Sequence, residues 1–346
     1  MTSDKNQHTF LFLNTAAIII ILAAVKMMEP IIAPLLISIF IAAISAPTMF
    51  WFMQHKIPQT LAIAMVFSLV FISSVVIFNV VGSSLSHFIA DIPEYQQKLE
   101  KISLDLIPYA NNLGLNLNPE ELNQVFDLSA VMGFVGKTFK GVLNTLTNVF
   151  LILLLVVFIL IEFASFGKKM RKISVDPKKT MASLHYFSQT LNHYIVLKSL
   201  MSLLTAIPIC LVLYLLDIDY PLLWGFLVFL LNFIPNIGSI IAAVPVVLLA
   251  IVQHNFFTAI MVMALFFAVN NIVGNMIEPK LMGRKLGLSS LIVFVSLVFW
   301  GSLLGTVGMF LSVPLTMALK IAMESNEKTR WIAVLLGNDQ DEIKAA

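Results

Sequence analysis

The stretch NFIPNIGSIIAAVPVVLLAI, residues 232–251, is apolar enough to lie in a membrane, yet it holds two prolines, a glycine and two asparagines. In hydrocarbon a broken helix exposes unpaired N–H and C=O groups at several kcal/mol each, unless the break faces protein or a watery cavity. Pro235 and Gly238 therefore read as an elbow turned toward the protein interior. The rest of the chain agrees with a membrane setting. Of 346 residues, 59% are hydrophobic and 12% charged, where a soluble domain carries roughly half and a quarter. With a mean hydropathy of +0.94, the class is an all-α polytopic membrane protein.

A spanning helix needs about 20 mostly apolar residues. Such runs occupy 9–26, 30–53, 58–82 and 144–164, and an almost continuous apolar region covers 199–323. The run FLFLNTAAIIIILAAV (10–25) has no small-residue cleavage site before Lys26, so it reads as an uncleaved first helix. Five segments follow: N-terminal spanning helices (1–82), a polar helical insert (83–143), a fourth span with a basic amphipathic segment (144–198), a core (199–323) and a tail (324–346). In the insert, Ile92, Tyr95, Leu99, Ile102 and Leu106 recur at helical spacing, and DIPE (91–94) and NPEE (118–121) have the pattern of helix N-caps.

Basic loops stay cytoplasmic. FGKKMRKISVDPKK (166–179) carries six Lys and Arg against Asp176 alone, which puts 165–198 inside. The insert has four lysines against seven acids and suits the opposite, outer side. Both termini then fall inside. The stripe Leu184, Phe187, Leu191, Tyr194 and Ile195 is expected to run along the cytoplasmic interface.

Between a span ending near Asp217 and another starting near Phe256, residues 221–253 must leave and return on one side. At 1.5 Å per residue they reach about 50 Å, too short for two spans of about 30 Å. A re-entrant hairpin fits, and residues 288–323 repeat the case from the cytoplasmic side. PNIGSIIAAVPVVLLAI (235–251) also lies over GTVGMFLSVPLTMALKI (305–321) with one residue's offset, pairing Gly238 with Gly308 and Pro245 with Pro314. About eight membrane segments result, with two broken hairpins as an inverted-topology repeat of the kind found in secondary transporters. The plainer alternative is a Pro/Gly kink in an ordinary bundle.

Six scattered histidines, no G-x-x-x-x-G-K-[ST] and one cysteine, Cys210, leave no catalytic constellation, metal site or ATP site. No enzyme, cofactor or nucleic-acid partner is expected. Polar residues inside the membrane are costly and usually face the interior. Candidate substrate or gating residues are therefore Asn232, Pro235, Asn236 and Gly238 at the first elbow. Ser302, Gly305, Thr306 and Gly308 occupy the second, and Asn270 and Asn271 lie between them. Amides and hydroxyls suit an uncharged polyol, although an asparagine also serves as glue between helices. Glu278 is either a coupling carboxylate or the partner of Lys280 or Arg284, with Arg284 the second residue of that site.

The run NNIVGNMIEPKLMGRKLGLSSLIVFVSLVFWGSLLGTVGMFLSVP (270–314), with FIPNIGS (233–239) and HYIVLKS (193–199), resembles the autoinducer-2 exporter family over nearly the whole chain. The resemblance implies a bacterial inner-membrane protein that exports the quorum-sensing signal autoinducer-2. Some members of that family are linked to sodium/proton antiport. The expected partners are a small polar signalling metabolite and membrane lipid, and a homo-oligomer stays open. The rival readings are a cation/proton antiporter and a non-transporting membrane scaffold.

Overall fold

The computed structural model describes residues 2–112, 149–173, 177–235, 237–282, 288–324, 327 and 329–337. Among them the regular structure is helical, with no strand. The helices are α1 (Thr2–Met27), α2 (Glu29–Gln54), α3 (Gln59–Asn112), α4 (Val149–Ile173) and α5 (Pro177–Leu215). They continue as α6 (Pro221–Leu231), α7 (Gly238–Gln253), α8 (Phe256–Asn270), α9 (Glu278–Met282), α10 (Ser290–Glu324) and α11 (Arg330–Leu336). Five described helices are long and apolar enough to cross a membrane, within Glu29–Gln54, Gln59–Leu99, Ser188–Leu215, Phe256–Ile277 and Ser290–Glu324. Their apolar side chains lie largely outside, as Phe256, Phe257, Phe267 and Leu291 do. That inverts the soluble pattern and calls for lipid around them.

The chain divides into two compact units. The first comprises Met1–Phe67, Asn148–His193 and Gly287–Ala346; the second comprises Ser68–Thr147 and Tyr194–Leu286. In the first unit α2 packs on α4 and α10. The buried face of α2 includes the small residues Ala33, Ser38, Ala42 and Ser45, which let backbones approach where no hydrophobic effect drives association. Ser38 Oγ donates to Ile152 O of α4 at 3.2 Å, and Phe40 meets Phe310 edge-on. In the second unit Leu85, Phe88 and Tyr95 of α3 pack with Ile209 and Leu213 of α5. Trp224 of α6, Val246 and Leu249 of α7 and Val262 of α8 complete that core.

Two boundaries differ from the sequence expectation. Asp91 begins no helix, because α3 already runs unbroken through it and carries Pro93 and Pro108 inside. At 54 residues α3 is about 80 Å long, far beyond the hydrocarbon thickness. The second expected cap, at 118–121, lies outside the described residues, as do Asn236 and Arg284. The basic amphipathic segment and the next span are likewise one helix, α5.

Both broken segments are hairpins. In the second unit α6, with 11 residues, and α7, with 16, are each too short to cross a bilayer, and they pack together. In the first unit α10 breaks at Gly305 (φ 60°, ψ −144°). Trp300 Nε1 donates to Thr316 Oγ1 at 3.0 Å. In a straight helix those residues would stand about 24 Å apart, so the two arms of α10 fold back on each other.

Candidate functional site

The first elbow is closed by its own backbone. Phe233 N donates to Leu230 O, Ile234 N to Leu231 O and Gly238 N to Ile234 O, so the break leaves these groups paired. A Cβ on Gly238 would stand 1.7 Å from Leu231 O; one on Gly308 would stand 1.9 Å from Trp300 O. Each glycine thus lets its helix press against the carbonyl end of the preceding arm. The pairing of these two glycines in sequence meets the same contact in both hairpins.

At the second elbow Gly305 adopts a backbone that only glycine takes readily. A Cβ there would also lie 2.6 Å from Glu29 Oε1. Glu29 pairs with Lys26 at 2.6 Å, so a carboxylate at the start of α2 reaches the break. Ser302 and Thr306 are exposed and Gly308 is buried. Ser302 Oγ returns its hydrogen bond to Phe299 O of its own helix.

In the second unit the organising element is α5. Lys198, Ser202 and Thr205 are all buried, and their spacing of four and three places them on one helix face. Thr205 satisfies its hydroxyl on Met201 O. Asn232, at the elbow, donates from Nδ2 to Ser202 Oγ at 3.1 Å. Glu278 accepts from Lys198 Nζ at 2.7 Å, with side-chain exposures of 21% and 6%. The elbow and Glu278 therefore meet successive turns of α5, about 6 Å apart along the axis. Sequence proximity nominated Lys280 or Arg284 for Glu278; the fold supplies Lys198 instead.

Asn270 and Asn271 commit one N–H each to their own helix, at Phe266 O and Phe267 O. Asn275 donates to Asn271 Oδ1. These amides line the start of a wider, π-helical turn, Asn271–Ile277, which leads directly into Glu278. Such turns insert a residue into a helix and recur at functional sites.

A second polar group closes the other end of this unit. Tyr95 donates to Asp219 Oδ2 at 3.0 Å, and Gln253 Nε2 also reaches that carboxylate. Tyr220 donates to Asp91. Burial and this bond to Asp91 push the Tyr220 hydroxyl up to about 12, so it remains a donor at physiological pH. Trp224 Nε1 holds Asp219 O at 2.9 Å. Together they tie α3 to the α5–α6 and α7–α8 connections.

Comparison with known proteins adds to this geometry. A family model described as AI-2E family transporter matches residues 15–328. A putative transport protein of Haemophilus influenzae is 41% identical over 347 residues, covering 99% of each chain. The AI-2 transport protein TqsA of Escherichia coli K12 is 35% identical, with 93% of each chain covered. The putative transport protein YhhT of the same organism is 35% identical over 94% of each.

Proposed function

The chain belongs to the AI-2E transporter family, and from that premise we propose that it exports a small, uncharged, oxygen-rich metabolite of the autoinducer-2 kind by alternating access. The setting proposed is a bacterial inner membrane, with both termini cytoplasmic. The observation that carries the reading is the buried polar stripe on α5, which meets the Asn232 elbow within that helix's apolar span, Ser188–Leu215. Polar side chains at such a position are costly unless they are used. Hydroxyl, amide and ammonium groups converging there recognise a polyol by hydrogen bonding. The relative TqsA, named for AI-2 transport, supports the same ligand.

The proposed roles are as follows. Asn232 and Ser202 bind ligand oxygens, with Asn236 a further candidate for that task. Pro235, Gly238, Gly305 and Gly308 shape the two elbows. Ser302 and Thr306 contribute at the second elbow, and Asn270 and Asn271 set the turn before Glu278. Arg284 is a candidate on the cytoplasmic side.

Everted membrane vesicles test this directly, because export becomes uptake. Autoinducer-2 should accumulate saturably in wild-type vesicles, and Ser202→Leu and Asn232→Leu should each lower uptake at least tenfold at normal membrane levels. No uptake by wild type, or full uptake by both variants, would remove the reading.

A further inference from the structure

We propose that the carboxylate of Glu29, carried by α2 to the Gly305 break of α10, is a second polyol-binding station that takes a ligand hydroxyl on Oε1. The inference deepens the transport reading above and rests on it for the class of ligand. The two oxygens of this carboxylate face different company. Oε2 accepts from Lys26 Nζ at 2.6 Å. Oε1 lies 2.6 Å from the place a Cβ on Gly305 would take, and among the described residues no donor is bonded to it. An acid in the first turn also suits the dipole of α2. Neither that nor the Lys26 pair needs an oxygen aimed at a break in another helix.

Gly305 keeps the approach open. A side chain there would fill the space over Oε1, and glycine alone leaves it clear. The carboxylate retains acceptor capacity that a neighbouring donor can use, and at 32% side-chain exposure a ligand can reach it. Ser302 and Thr306 flank the break in the chain, and both are exposed. Ser302 gives its proton to Phe299 O, which leaves its oxygen able to accept. Thr306 Oγ1 is bonded to none of the described residues.

These groups select the ligand. Lys26 already supplies a positive charge beside the carboxylate, which disfavours a second cation, and the carboxylate repels an anion. Among the described residues no three His, Cys, Asp or Glu side chains cluster as a metal would need. An uncharged polyol meets the remaining demand, since each hydroxyl both donates and accepts. One hydroxyl donates to Oε1, and its neighbours meet the Ser302 and Thr306 oxygens.

Two contacts order α2 against the second arm of α10. Glu29 faces Gly305, and further along both helices Phe40 meets Phe310. The two therefore run in the same direction, and the tip of the hairpin lies level with the first turn of α2. With the N-terminus cytoplasmic, as in the reading above, α1 carries Lys26 and Glu29 to the outer side. An exported ligand meets this station as it leaves.

Infrared difference spectra of the full-length protein in lipid nanodiscs read this carboxylate directly, because an accepted hydroxyl shifts its antisymmetric stretch. Erythritol and autoinducer-2, each added in sodium-free buffer, are the probes. At least one of them should raise a carboxylate band in wild type that is lost in Glu29→Gln. Its binding should weaken about tenfold in that variant, as expected when a charged acceptor becomes neutral, with the melting temperature unchanged. If Glu29→Gln fails to insert, Glu29→Asp makes the comparison. Its shorter side chain withdraws the carboxylate from Gly305 and should abolish the band. No band from either probe, the same band in wild type and variant, or a band raised by sodium chloride alone would overturn the proposal. Vesicle uptake of autoinducer-2 separates the two readings. Uptake without any such band leaves transport standing and removes the station. A Glu29-dependent band with erythritol, where autoinducer-2 neither binds nor moves, upholds the station and removes the substrate reading.

Discussion

At Gly305 two constraints coincide: a backbone at φ 60°, ψ −144° and the Glu29 carboxylate where a Cβ would project. Backbone of that kind costs a non-glycine residue about 1–3 kcal/mol. Gly305→Ala should therefore lower the melting temperature in detergent by several degrees. Gly82 supplies the contrast. It sits in helix α3 with nothing within 4 Å of a Cβ position, so Gly82→Ala should stabilise by about 0.5–1 kcal/mol through helix propensity. Equal effects at the two sites would show that the elbow strain is not real. The glycines and prolines of both elbows were legible because helix breakers in an apolar run are costly unless the chain bends there. The partner of Glu278 was not: Lys198 lies 80 positions away, and only the fold brings it near. A signal was nonetheless present. Lys198, Ser202 and Thr205 recur at helical spacing within an apolar run, the pattern of a buried polar face. Glu29 gave no such signal, since its approach to Gly305 depends on how α2 packs against α10.

Among the elements, the hairpins were predicted and the helix ends were not. Length arithmetic found residues 221–253 too short for two spans, and α6 and α7 are separate short arms. The cap expected at Asp91 failed because a cap motif states a local preference, which tertiary contacts override. Asp91 instead accepts from Tyr220, and α3 continues past it despite Pro93, whose missing N–H leaves the Ile89 carbonyl without its helical donor. The hairpin in α10 makes a sharper forecast. Its arms are joined by Trp300 Nε1 and Thr316 Oγ1, and Thr316 in turn donates to Ser312 O. Trp300→Phe keeps most of the ring but removes the donor, at about 1 kcal/mol. Amide exchange should rise across both arms of α10 and stay unchanged in α6 and α7. A uniform rise, or none, would mean that this bond does not hold the fold-back.

For the whole molecule, the sequence ordered the chain as five consecutive segments, whereas compactness groups it into two interleaved units. Helices α3 and α5 each belong to both, which no composition shift along the chain could reveal. Each unit contains one broken hairpin, and each hairpin has a glycine pressed against a carbonyl of its own preceding arm. The inverted repeat stays the expectation drawn from the sequence, and the sidedness it assumes can be measured. Hairpins related in that way must enter from opposite faces, with the span Phe256–Ile277 between them; which face each takes follows from the sidedness of the ends of α3 and α4. Asn112 ends α3, beyond the acids Asp91, Glu94 and Glu100; Ile173 ends α4, just after Lys168, Lys169, Arg171 and Lys172. By the distribution of basic residues the second end is expected on the cytoplasmic side and the first on the opposite one. Fusions of alkaline phosphatase and green fluorescent protein after Asn112 should give phosphatase activity without fluorescence, and after Ile173 the reverse. The same sign at both positions would put an even number of crossings between them. The cytoplasmic placement of residues 165–198 would then be overturned, and with it the face from which each hairpin is expected to enter.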